Sequence, residues 1–86
     1  MDPYKTIQYP VMTEVTNRIL ESENKLVFVV NKMATKKDIK VAVEELYDVA
    51  VDKVTSMITA EGEKKAFVKL SPEYKAVDIA IKLGIL

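Results

Sequence analysis

Two strand-forming runs joined by a short turn restrict this chain more than any other feature. Lys64–Leu70 alternates without a break: Ala66, Val68 and Leu70 fall on one face and Lys65, Phe67 and Lys69 on the other. That period of two belongs to a strand with one face buried. Residues 51–59 are rich in Val, Thr and Ile, and Glu61-Gly62-Glu63 between the runs is a turn signal, so the pair reads as a β-hairpin. A lone hairpin is marginal in water. The rest of the chain must therefore cover it.

The covering elements can be placed from local chemistry. Thr35 stands three residues before Asp38, the spacing of a capping box in which each side chain satisfies a backbone donor at a helix start. Ile39, Val43 and Leu46 follow at i, i+4 and i+7 with Ala42 beside them, which predicts an amphipathic helix over 36–47. Residues 26–30, Leu-Val-Phe-Val-Val, form an unbroken β-branched and aromatic run that predicts a strand buried on both faces. Pro10 fixes extended backbone before it, and Thr13 caps an expected helix to about residue 21 with Val15 and Ile19 as its apolar pair. Ser71-Pro72-Glu73 predicts the start of a last helix with Tyr74, Val77 and Ile81 inward, and Gly84 is placed to end it. A further short strand is expected near residues 5–8. The sum is a single α+β domain over residues 1–86, a sandwich of a mainly antiparallel four-stranded sheet with packed helices, of the alpha-beta plait type. Phe28, Tyr47 and the four Met residues are expected as core and gap filler.

Composition matters for what it removes. With neither Cys nor His, the chain has no disulfide framework, no thiolate metal site and none of the commonest general base. No Gly-rich phosphate loop or nucleophile–base pair is present, and Glu44 and Glu45 would point about 100° apart on a helix. Neither an enzyme nor a cofactor or metal site is expected. The longest apolar run, residues 26–30, is far short of the ~20 residues a membrane span needs, and the start of the chain lacks signal-peptide form, so a cytoplasmic location is expected.

The formal net charge is zero, but it is segregated: residues 31–40 carry four Lys against one Asp, and residues 41–63 carry six acids against one Lys. Two places gather cations. In Lys65-Phe67-Lys69 two ammonium groups flank an aromatic ring, an arrangement suited to phosphate contact and base stacking, or to an ordinary solvated strand row. In Lys32, Thr35, Lys36, Lys37 and Lys40 the cations collect at a helix N-terminus, where the helix itself disfavours them and a polyanion would favour them; an exposed cluster kept for solubility is the plainer reading.

The stretch from Lys64 through Ser71, Lys-Lys-Ala-Phe-Val-Lys-Leu-Ser, followed after seven residues by Ile79, resembles the signature of the universal ribosomal protein L23 family. The resemblance extends in order to Pro10-Val11-Met12-Thr13-Glu14-Val15, to residues 24–30 and to residues 34–47. Val15 stands where the family commonly has Lys. The resemblance implies a structural protein of the large ribosomal subunit, in the cytoplasm. It would bind large-subunit rRNA near the polypeptide exit through Lys32, Thr35, Lys36, Lys37, Lys40, Lys64, Lys65, Phe67 and Lys69. It also implies a neighbouring small ribosomal protein, and a docking surface for the signal-recognition particle or other nascent-chain factors at Glu14. Only residues 60–63 join the hairpin strands where bacterial members carry a long basic loop, and the basic extension of eukaryotic members is missing, so the likeness is to the archaeal form. A free-standing α+β regulatory or ligand-binding domain is the competing reading; sedimentation with large subunits would separate the two.

Overall fold

The computed structural model describes residues 1–84. Along the chain run α1 (Pro3–Thr6), β1 (Ile7–Pro10), α2 (Glu14–Glu23), β2 (Lys25–Val30), α3 (Lys36–Tyr47), β3 (Val51–Ile58), β4 (Lys64–Leu70) and α4 (Ala76–Lys82). The four strands form one sheet in the order β1-β2-β4-β3, with every neighbouring pair antiparallel. β2 and β3 both run opposite to β4 and so are parallel to each other. α3 is the crossover between them, and the tight return of the hairpin drops β4 into the gap.

The alternation of β4 sets the two faces. Ala66, Val68 and Leu70 join Leu26, Phe28 and Val30 of β2, Val51 and Val54 of β3, and Ile7 of β1 beneath the helices. Leu20, Ile39, Ala42, Val43, Ala76, Ile79 and Ala80 close the core from above. All the long helices lie on this one face. Phe28, fully buried, stacks on the partly buried Tyr47 at the core's edge with ring centroids 5.8 Å apart and planes 8° from parallel. The predicted capping box at α3 is present in both directions: Asp38 N–H donates to the Thr35 hydroxyl at 3.1 Å and Thr35 N–H to the Asp38 carboxylate at 3.0 Å.

Local details differ from the sequence reading. The early strand lies at Ile7–Pro10 rather than 5–8, because Asp2 caps a one-turn helix first, its carboxylate accepting from Tyr4 N–H at 3.0 Å. In α2, Val15 is 60% exposed and Leu20 is the buried residue. The helix is rotated by its own cap, since the Thr16 hydroxyl turns inward to donate to Val11 O at 3.0 Å. All four Met residues, expected in the core, are exposed.

The last helix is the largest correction. Ser71-Pro72-Glu73 makes a turn, closed by Tyr74 N–H on Ser71 O at 2.9 Å, and α4 begins only at Ala76. Proline suits position i+1 of a turn as well as the first residue of a helix, so its presence alone could not decide. The cap comes instead from Asn24, whose left-handed backbone (φ 56°) also ends α2. Its side-chain oxygen accepts from Ala76 N–H at 2.7 Å, and its amide donates to Tyr74 O at 2.8 Å. With the start shifted, Ala76, Ile79 and Ala80 face inward and Ile81 becomes 56% exposed.

Candidate nucleic-acid interface

The sheet face away from the helices carries the candidate site. Directly paired residues on antiparallel strands point to the same side, so the register reads out this face rung by rung. One rung is Lys25–Lys69–Lys53 across β2, β4 and β3. The next is Val27–Phe67–Thr55. The third is Tyr9–Val29–Lys65–Met57, reaching β1.

Three lysines opposed on adjacent strands about 4.8 Å apart repel one another. Only Lys25 has an acid partner among the described residues, Glu23 at 3.1 Å. Val27 and Val29 are buried even though no helix among the described residues covers this side. Tyr9 helps to explain it: the phenol donates to the Glu63 carboxylate at 2.5 Å, and to reach it from the edge strand β1 the side chain must pass over β2. That hydrogen bond, more than any burial, raises the Tyr9 phenol above its ordinary pKa. The resulting face has a cationic end, an aromatic and apolar middle, and an end at the β3–β4 turn that carries Glu63.

The structure thus gathers Lys65, Phe67 and Lys69 as their alternation requires, and adds Lys25 and Lys53, which the sequence reading missed. Lys53 escaped because a register irregularity between Val51 and Lys53 disturbs the period of β3. Lys25 escaped because nothing local to it reveals that β2 pairs with β4.

Lys64 stands apart from this group. It faces the helix layer, and its ammonium donates to Ala34 O at 2.6 Å, holding the loop before α3 to the hairpin. Lys32 belongs to the same contact region, with its Nζ 3.5 Å from where a β-carbon on Gly62 would sit. Gly62 itself needs its positive φ of 84° to close the turn, where Gly62 N–H donates to Thr59 O at 2.9 Å. Lys36, Lys37 and Lys40 are exposed around the N-terminus of α3, a second basic patch on the helix layer. The Thr35 hydroxyl there is engaged in capping, and the hydrogen bonds from Thr35 hold the Asp38 carboxyl below the usual carboxylate range. Glu14 lies elsewhere, at the start of α2, exposed and 3.8 Å from Arg18. Among the described residues no cluster of acids is placed to hold a metal, and no helix is long and apolar enough to cross a membrane.

Comparison with known proteins fits this arrangement. The family described as Ribosomal protein L23 matches residues 5–84. A relative named Large ribosomal subunit protein uL23, from Methanococcus aeolicus, is 48% identical over 85 residues, covering 99% of both chains. This archaeal relative agrees with the short connection between β3 and β4. The chain belongs to the Ribosomal protein L23 family and is a structural constituent of the ribosome, not an enzyme.

Proposed function

We propose that this protein binds large-subunit rRNA near the polypeptide exit, through the open sheet face and the N-terminal patch of α3. As a large-subunit protein of this family it works within the cytoplasmic ribosome. The observation that carries the rRNA reading is the Lys25–Lys69–Lys53 rung: opposed cations with little internal compensation are costly in the free protein and favourable against phosphates. Lys65 and Phe67 extend the same face, and Lys36, Lys37 and Lys40 supply a second set of charges. Lys32 and Thr35 border that second set, and Lys64 acts by holding the two regions together.

Binding to a large-subunit rRNA fragment should weaken steeply with salt. If Lys25, Lys53, Lys65, Lys69, Lys36, Lys37 and Lys40 each met one phosphate, the slope of log K against log salt would approach about −6. Salt-independent binding, or none, would remove the reading. The protein would lie beside a neighbouring small ribosomal protein. Glu14, with Met12 and Val15 exposed beside it, would contribute to docking the signal-recognition particle or another nascent-chain factor. Glu14→Ala should lower factor affinity for ribosomes while assembly is unchanged; unaltered factor affinity would exclude Glu14.

A further inference from the structure

We infer that the open sheet face takes unpaired nucleotides rather than a duplex, with a base stacked on Phe67 and the adjoining phosphates on the Lys25–Lys69–Lys53 rung. This rests on the proposed rRNA binding and narrows it to one kind of RNA. Phe67 stands in the middle of β4, only partly buried, on the side without helices. A partly exposed phenyl ring between two lysines of its own strand offers a π-surface that every base can use but a base-paired helix cannot reach. Its rung neighbours, Val27 on one side and Thr55 on the other, are uncharged, so a ring laid over Phe67 desolvates no ion. The charges lie one rung away on each side, which matches the division of a nucleotide into an apolar base and an anionic backbone.

The two ends of the face are not equivalent. At one end three lysines are opposed, and among the described residues only Lys25 is paired with an acid. At the other end Lys65 shares its surroundings with Glu63, which accepts from Tyr9. A phosphate is therefore favoured at the lysine rung and disfavoured beside Glu63, which places the backbone next to the stacked base over the lysines. The Tyr9 ring, anchored by that hydrogen bond, forms a wall on the β1 side. A duplex presents phosphates on a broad convex surface and keeps its bases stacked inside. It could meet the lysines but would leave Phe67 unused.

The full-length protein can test this by fluorescence anisotropy with two labelled probes, an octamer of uridine and an RNA duplex of twelve base pairs. Three variants are compared: Phe67→Leu, Phe67→Tyr and Lys53→Gln. The octamer should lose at least fivefold in affinity with Phe67→Leu, keep it with Phe67→Tyr, and keep its salt slope in both. Lys53→Gln should instead reduce the magnitude of the octamer's salt slope by about 0.7. Duplex binding should not respond to either Phe67 variant. Thermal melts of each variant confirm that the fold is retained, and the tyrosine variant separates loss of the ring from loss of packing. The inference is overturned if Phe67→Leu leaves octamer affinity unchanged or weakens both probes alike. If the octamer fails to bind while a large-subunit rRNA fragment binds with steep salt dependence, the single-strand inference falls and the rRNA reading stands; if neither RNA binds, both fall.

Discussion

Neutralising Lys69 should make the free protein more stable, the opposite of what most substitutions do. Lys69 is opposed by Lys25 on one side and Lys53 on the other, so one change relieves two like-charge pairs. Opposed pairs differ from neutral ones by about 0.2–1 kcal/mol. Lys69 is exposed, so solvent screening places each pair near the lower end, giving about 0.5 kcal/mol for the two. For a domain of this size that corresponds to a rise in melting temperature of roughly 2–4 °C. Glutamine is the suitable replacement because it keeps most of the aliphatic stem and a polar end. Lys53→Gln relieves one pair and should gain about half as much, and Lys25→Gln should gain least because it also loses its contact with Glu23 at 3.1 Å. Melts followed by circular dichroism at about 0.01 M salt should show the order Lys69, Lys53, Lys25. At about 1 M salt, where screening acts within roughly 3 Å, the differences should vanish. A Lys69→Gln protein that melts lower than the parent, or a gain that survives high salt, would refute the reasoning that these three ammonium groups repel across the rung.

Other perturbations test the packing and the caps. Thr35→Ala should cost about 0.5–2 kcal/mol by removing the α3 cap, whereas Ile39→Ala, at a fully buried position, should cost about 2–5 kcal/mol, both read in urea unfolding; equal small losses would misplace the helix. Leu46, only partly buried, should cost less than Ile39. Asn24→Gly keeps the left-handed backbone easy but removes the bonds to Tyr74 and Ala76, so a loss of about 1–3 kcal/mol is expected, and no loss would show the clamp to be idle. Stability should also respond to pH in two windows. The Asp38 carboxyl is lowered in the folded state, so its contribution is present above the ordinary carboxylate range near pH 4 and is lost as pH falls through the lowered value. The Tyr9 phenol is raised, so its contribution is present below about pH 10 and is lost as pH rises through the raised value; burial raises the Tyr47 phenol as well, so Tyr9→Phe should reduce the alkaline loss in the melts and leave the part due to Tyr47.

The parts of the fold that depend on neighbours in sequence were readable. The alternation of β4, the capping box at Thr35 and Asp38, and the spacing of Ile39, Val43 and Leu46 each act within one turn or one strand, and each is found where expected. What escaped depends on contacts between distant segments. The phase of α4 is set by Asn24, 52 residues before the amide it caps, and no local signal distinguishes that from the Ser-Pro start. The exposed positions of the methionines reflect what the elements cover, which a composition cannot state. The candidate site divides in the same way. Lys65, Phe67 and Lys69 follow from one strand's period, but their meeting with Lys25 and Lys53 is a property of strand order and register. Lys64, adjacent in sequence to Lys65, points to the opposite layer by the same period of two.

The Asn24 clamp also bears on the order in which the molecule assembles. α4 has only seven residues and no cap of its own, too short to persist in isolation, where nucleation is costly. It can form only after the end of α2 has reached its final position against the end of β4, where Leu70 N–H donates to Asn24 O at 3.1 Å. On the ribosome, α2 leaves well before α4, the last element. Closure of the last helix is then a check on everything made before it. The amide proton of Ala76, held by a side chain 52 residues earlier, should exchange with solvent only when that long-range contact opens, and so serves as a single-site gauge of completed folding.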